Sequence, residues 1–295
     1  MDEYVLVSRL GSGSFADVWK ARRAKGGYAA AFVAIKQLKA RGLAWKEALA
    51  IPDVAVGRRL AHVNVLRLLG LVQLGGWTFM VLEYCETSLL QLSSHILAAG
   101  KRWTDAEIRW CTAGILRGLA HMHERGIMHR DIKPENVLLS SGAGDDAPAA
   151  SRGPAVKLCD FGQAKDIALA PHTEYVSTRW YRAPEVLLSM RNYGAAVDIF
   201  AVGALMAEMY TMRPLFPGTS LADQLYRLAS VLGSISSSEW PEGAARLARV
   251  APMADMKGTG MHGCPCVRVR VRVRVRVRAG TVPGAGIDGK RTPRF

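Results

Sequence analysis

The sequence predicts an α+β protein of two unequal lobes, the first rich in strands and the second in helices. Three observations carry that expectation. Residues 4–84 alternate short β-branched and apolar runs with glycine turns. From Leu89 the texture turns helical. Between residues 105 and 125, Ile108, Cys111, Ile115, Leu119 and Met122 recur at the spacing of one buried helix face.

In the strand-rich part, Val5, Val7 and Leu10 precede Gly11-Ser12-Gly13-Ser14-Phe15, and Val18 and Trp19 follow it. Residues 30–38 form an apolar run that contains Lys36. Residues 43–60 have helical character interrupted by Pro52. Residues 65–73 and 77–84 read as strands, with Gly75-Gly76 as the turn between them. In the helical part, Thr104 ahead of Asp105 and Glu107 suits a helix start. Residues 197–210 and 222–232 read as further buried helices. The Gly-, Ala-, Ser- and Asp-rich residues 140–154 read as a flexible insertion.

Bulk properties narrow the function classes. At 295 residues and 49% hydrophobic, the chain is long enough for a large core. No apolar run approaches the ~20 residues of a membrane span, and the start lacks a secretory pattern. Five cysteines without a regular framework point to a reduced, cytoplasmic setting. The net charge of +14 invites a nucleic-acid reading, but six arginines fall in one Val-Arg repeat at residues 267–278. That repeat reads as low complexity, and nucleic acid is not an expected partner. The expected division is residues 1–86, residues 87–249, and a basic disordered tail over residues 250–295.

The chemistry concentrates in two strings, His129-Arg130-Asp131-Ile132-Lys133-Pro134-Glu135-Asn136 and Asp160-Phe161-Gly162. Phosphoryl transfer from ATP needs a carboxylate to orient the attacking hydroxyl, a cation near the moving phosphoryl and hard oxygen ligands for Mg2+. Asp131, Lys133, and the pair Asn136 and Asp160 are those residue types. They stand among apolar neighbours (Ile127, Val137, Leu138, Leu139, Val156, Leu158), where polar groups need a reason to be. Gly11 and Gly13 allow backbone N–H groups to approach phosphate, and Lys36 on an apolar strand needs an anionic partner. Cys159, next to Asp160, reads as an inert apolar filler rather than a reactive thiol.

These strings resemble a eukaryotic protein kinase over about residues 4–243. The resemblance implies a two-lobed kinase fold, ATP and Mg2+ as cofactors, and protein substrates bearing Ser or Thr. It implies that Leu10, Gly11, Ser12, Gly13, Ser14, Val18, Ala34 and Lys36 surround the nucleotide. Glu83 and Cys85 would offer backbone groups to adenine behind a gatekeeper at Leu82. Ala183-Pro184-Glu185 would close the activation segment, and Asp198 would anchor the catalytic loop. Thr173-Glu174-Tyr175, followed by Arg179-Trp180-Tyr181-Arg182, resembles the dual phosphorylation site of mitogen-activated and cyclin-dependent kinases. An upstream kinase would modify Thr173 and Tyr175; Arg130 would meet the first phosphate, Arg179 and Arg182 the second. A preference for proline after the phosphorylated residue comes with that group.

Residues 212–220, 231–233 and 238–243 closely resemble the male germ cell-associated and intestinal cell kinases, which brings an expectation of a ciliary or flagellar role, or a nuclear location. Two departures stand out. The lysine partner falls on Asp53, one methylene shorter than the usual glutamate, with Glu47 the other candidate; Gly57 stands where a bulky apolar residue is usual, so the helix is expected to be poorly anchored. The closing helices of the large lobe are not recognisable, which points to a truncated gene product and leaves Glu185 without its usual arginine. A catalytically weak or inactive scaffold is therefore the rival reading, and a phosphate-transfer assay separates the two.

Overall fold

The computed structural model describes residues 3–13, 15–24, 32–141, 154–172 and 178–250, all within one compact unit. Ser14, Thr173 and Tyr175 lie outside the described residues, as do the body of the insertion and the Val-Arg repeat.

The N-terminal part is an antiparallel five-stranded sheet built from β1 (Tyr4–Ser12), β2 (Ala16–Arg23), β3 (Phe32–Arg41), β4 (Leu68–Leu74) and β5 (Trp77–Glu83), in the order β1-β2-β3-β5-β4. Between β3 and β4 stand two short helices, α1 (Trp45–Ala50) and α2 (Pro52–Gly57). Their break is where the proline predicts it. Pro52 lacks an N–H, so it occupies the first helical position of α2 rather than continuing α1.

Strand alternation sorts this lobe into two faces. Val18 is registered opposite Lys36, Lys36 opposite Met80, and Ala34 opposite Leu82. These residues share one face. Val33, Ile35, Phe79 and Val81 share the other and form a small core of their own with Ala21.

The larger part is helical. After β6 (Thr87–Ser88) come α3 (Leu89–Ala98), α4 (Asp105–His123) and β7 (Ile127–Met128). Next are β8 (Val137–Ser140), β9 (Ala155–Leu158) and β10 (Lys165–Asp166), then α5 (Pro184–Leu187), α6 (Ala196–Thr211), α7 (Leu221–Leu232) and α8 (Pro241–Val250). α4 starts at a reciprocal cap: Thr104 Oγ1 accepts from Glu107 N, and Thr104 N donates to Glu107 Oε2 at 2.8 Å. Its predicted apolar face is buried in the main core. Among the described residues no helix is long and apolar enough to cross a membrane.

Two glycines let α4 lie close to β9. A Cβ on Gly118 would sit 2.6 Å from the Asn64 carbonyl oxygen and 2.9 Å from Leu158 Cδ1; one on Gly114 would sit 2.8 Å from Val156 Cβ. A backbone oxygen cannot move aside as a side chain can. Gly118→Ala is therefore expected to destabilise by about 1–3 kcal/mol through overpacking, although alanine is the better helix former. Chemical denaturation of the variant measures this; a variant as stable as the parent would refute the close-packing account.

The sequence reading placed a strand over residues 65–73, but the strand begins only at Leu68. Residues 64–66 instead turn to β9. Leu158 N donates to Asn64 O at 3.0 Å and Leu66 N to Leu158 O at 2.8 Å, while Asn64 Nδ2 donates to Val156 O at 2.8 Å. These bonds stitch the small lobe onto the large one. α8 is the other difference. Pro241 opens it and Leu247 packs on the main core, so ordered structure extends past Gly243, where the resemblance was read as ending.

Candidate active site

The two strings meet between the lobes. The segment after β7 is held by Asp198, near the start of α6. Its Oδ2 accepts from His129 N at 2.9 Å and from His123 Nε2 at 2.8 Å, and its Oδ1 accepts from Arg130 N at 2.7 Å. Asp198 is only 1% exposed, so these donors replace the water its carboxylate loses. They also fix Arg130 in the left-handed region, at φ 71.

That backbone path presents Asp131. Lys133 Nζ donates to Asp131 Oδ2 at 2.8 Å. Asn136 Nδ2 donates to the same oxygen at 3.0 Å and to the Asp131 carbonyl at 2.9 Å. The Asn136 amide nitrogen is thereby committed to Asp131, leaving its Oδ1 as a donor for a cation. His129 ties this loop to the second string, with Nε2 3.0 Å from the Cys159 carbonyl oxygen and its ring edge-on to Phe161.

Asp160 follows β9 in left-handed geometry, φ 64 and ψ 77. Its side chain is half exposed, and one oxygen lies 3.8 Å from Lys36 Nζ. Lys36 also donates to Asp53 Oδ2 at 3.2 Å. Burial works against the Lys36 ammonium, but the Asp53 and Asp160 carboxylates outweigh it and hold its pKa above the ordinary lysine value. The lysine therefore stays charged throughout the neutral range.

The choice between Asp53 and Glu47 is resolved by geometry. Glu47 spends its carboxylate on Ala44 N at 2.8 Å, a cap on α1. Asp53 bridges two elements: besides Lys36, its Oδ1 accepts from Phe161 N at 2.8 Å. The expectation of a poorly anchored helix does not hold at this end, because the shorter side chain still reaches both donors. At Gly57 a Cβ would meet Leu68 at 3.4 Å, an ordinary contact.

Leu10, Gly11, Ser12 and Gly13 form the exposed tip of the β1–β2 hairpin, with Val18 and Ala34 on the lysine face below. Gly13 N donates to Ala16 O at 2.9 Å, closing the turn. Ser12 Oγ and Arg9 Nη2 each donate to Asp17 Oδ1 at 2.6 Å, and these bonds hold the Asp17 carboxyl below the usual carboxylate range.

At the end of β5, Glu83 engages Lys157 Nζ at 2.9 Å and accepts from Arg67 N at 2.6 Å. Lys157 also donates to the Val63 carbonyl at 3.0 Å. The sequence reading passed over Lys157, although a lysine between Val156 and Leu158 is the same signal that exposed Lys36. Burial pushes the Cys85 thiol up to about 12 and raises the Cys159 thiol as well. Both stay protonated near neutrality, as expected of an inert Cys159.

Arg130, Asp131, Thr178, Tyr181 and Arg182 line one small cleft. The Arg130 guanidinium lies 5.7 Å from the centre of the Tyr193 ring, while Arg179 is exposed. Tyr181 Oη donates to Glu208 Oε2 at 2.6 Å and Trp180 Nε1 to Gly218 O at 3.0 Å, fixing this segment on the helical lobe. Glu185 makes no ion pair among the described residues, and burial raises its pKa.

A five-stranded sheet joined to a helical lobe, with a charged lysine between the carboxylates of Asp53 and Asp160, is the architecture of a nucleotide-dependent phosphotransferase. A protein kinase domain model matches residues 4–248, and the chain belongs to the protein kinase family. It is 40% identical over 245 residues to cyclin-dependent kinase F-4 of Oryza sativa subsp. japonica, covering 82% of this chain and 49% of that one. To the serine/threonine-protein kinase ICK of Mus musculus it is 39% identical, and to MAK of Homo sapiens 38%; each match covers 82% of this chain and 36% of the relative. The chain thus spans from about a third to a half of the length of these relatives.

The family uses ATP and Mg2+, and the residues present fit them. Asn136 Oδ1 and the half-exposed Asp160 carboxylate are hard oxygen donors of the kind Mg2+ takes. Lys36, charged and already between carboxylates, suits phosphate oxygens.

Proposed function

We propose that this chain is a serine/threonine protein kinase that moves the γ-phosphoryl group of ATP to protein hydroxyls. One observation carries the reading: Lys133 and Asn136 converge on a single oxygen of Asp131, in the same cleft as Lys36 and Asp160. The Asp131 carboxylate would accept a hydrogen bond from the substrate hydroxyl, orienting its oxygen and taking its proton as the new P–O bond forms and the γ-phosphorus–oxygen bond to ADP breaks. Lys133 offsets negative charge on the transferred group. Asn136 and Asp160 would hold the metal, which when bound would neutralise charge on the phosphates. Lys36, fixed by Asp53, orients the phosphates, beneath the turn of Leu10, Gly11, Ser12 and Gly13; Ser14, outside the described residues, belongs to the same expected phosphate-binding set. Val18 and Ala34 flank the base, and the backbone of Glu83 and Cys85 reads adenine.

Regulation belongs to the same proposal. Phosphorylation of Thr173 and Tyr175 by an upstream kinase supplies anions for Arg130, Arg179 and Arg182. The kinase domain divides at residue 86, ahead of a tail from residue 250. Substrates carry Ser or Thr followed by Pro, and the protein works in the cytoplasm, with a cilium, flagellum or nucleus as its place of action. The names of the ICK and MAK relatives support the serine/threonine assignment.

The test is transfer of radiolabelled phosphate to paired Ser-Pro and Ser-Ala peptides, with Asp131→Asn as control. The expected result is transfer favouring Ser-Pro and a fall of about 10²–10⁴-fold in the control. Equal activity in Asp131→Asn would remove the catalytic reading and leave the ATP-binding scaffold, for which the lack of a cation beside Glu185 among the described residues speaks.

A further inference from the structure

α5 carries Glu185 and lies next to Ala183, on the wall of the cleft that also contains Asp131, Tyr181 and Arg182. Its carboxylate has no cation among the described residues, and α5 itself has no basic residue in its last turn. A four-residue helix cannot hold its own position, so something else must fix it.

Arg246 on α8 reaches it. Arg246 Nη1 donates to the Ser189 carbonyl at 3.0 Å and, more weakly, to the Leu188 carbonyl at 3.4 Å. These are the carbonyls at which α5 ends, and Ser189 there takes a left-handed φ of 55. A charged donor on the carbonyls that end a helix replaces the intrahelical bonds a longer helix would make. The guanidinium is steered by Glu242, one turn earlier, whose Oε1 lies 3.4 Å from Nε. α8 is in turn seated by Trp240 and Leu247 on the main core. A chain of contacts thus runs from the core through α8 and Arg246 to the end of α5, and so to the wall of the cleft.

We infer that Arg246 is a positioning residue for the acceptor peptide: by holding the end of α5 it fixes the cleft wall at Tyr181, Arg182 and Ala183, where none of the described residues supplies a cation to Glu185. This rests on the proposal that the peptide enters that cleft. The contacts proposed above for adenine and the phosphates come from β1, β2, β3 and the end of β5, none of which Arg246 touches in its hydrogen bonds to Leu188 and Ser189, so Arg246 acts on peptide affinity and leaves nucleotide affinity alone.

The experiment compares the parent chain, Arg246→Ala and Arg246→Lys. Peptide Kd is read by fluorescence anisotropy of a labelled Ser-Pro peptide, with turnover, ATP KM and melting temperature in parallel. Arg246→Ala is expected to weaken peptide binding about tenfold, the loss of one charge-assisted hydrogen bond, with ATP KM unchanged. Arg246→Lys keeps one donor and is expected to lose about threefold. It carries the decision if Arg246→Ala does not fold. Peptide Kd unchanged in the folded variants overturns the inference, as does an ATP KM that rises as far as the peptide Kd. A parent chain that binds the peptide without turnover removes the catalytic proposal while the Kd comparison still decides this one; no binding at all removes both.

Discussion

Asp160→Asn is expected to fold as the parent does and to lose about a hundred- to a thousandfold in kcat, the scale on which removal of one preorganised electrostatic group acts. The substitution isolates charge from shape. Asp160 sits at φ 64, a region that asparagine tolerates better than other non-glycine residues, so the backbone has no reason to move. The side chain is half exposed in the cleft and Lys36 Nζ lies 3.8 Å away, so little folding energy depends on it. What is lost is the anionic oxygen that would hold Mg2+ and repel nothing else. Phosphate transfer measured across a Mg2+ titration checks this. A variant within a few-fold of the parent at low Mg2+ would place the metal elsewhere.

Asp198→Asn is expected to act through folding as well as activity, with a destabilisation of about 3–5 kcal/mol, the cost of breaking a buried charged pairing. Asp198 offers two oxygens to three donors: His129 N, Arg130 N and His123 Nε2. An amide has one oxygen, so its NH2 must face at least one N–H at a side chain only 1% exposed. Arg130 is the weak point. Its left-handed backbone stores strain that persists only while the surroundings enforce it. Once Arg130 relaxes, Asp131 moves with it and transfer falls with stability. Urea denaturation and transfer assays on the same preparation measure both. A stable but inactive variant would mean that Asp198 acts on the loop alone, and a stable, active one would remove its anchoring role.

The two predictions differ in kind because the two aspartates do, and the sequence alone does not separate them. Both stand beside apolar residues, and both attract attention as carboxylates in the wrong company. One turns out to be sealed against backbone donors, and the other open to the cleft. The same limit appears at Asp53. Chain counting left Asp53 and Glu47 both open as partners of Lys36; the break at Pro52 rotates α2 so that Asp53 faces β3, while Glu47 caps α1.

Periodicity, capping residues and turn glycines determined the two lobes, the start of α4 at Thr104 and the break at Pro52, because those preferences act within a few residues of chain. The strings at residues 129–136 and 160–162 determined the chemistry, because phosphoryl transfer restricts the residue types that can serve. Only the tertiary structure decided that residues 64–66 leave the sheet for β9, that Lys157 locks Glu83, and that Arg246 meets the end of α5. Each of those contacts joins groups 57 to 94 residues apart, from Arg246 with Ser189 to Leu158 with Asn64. Their energy comes from burial and hydrogen bonding after the lobes have packed, and no local pattern in the chain encodes which distant partner will be there.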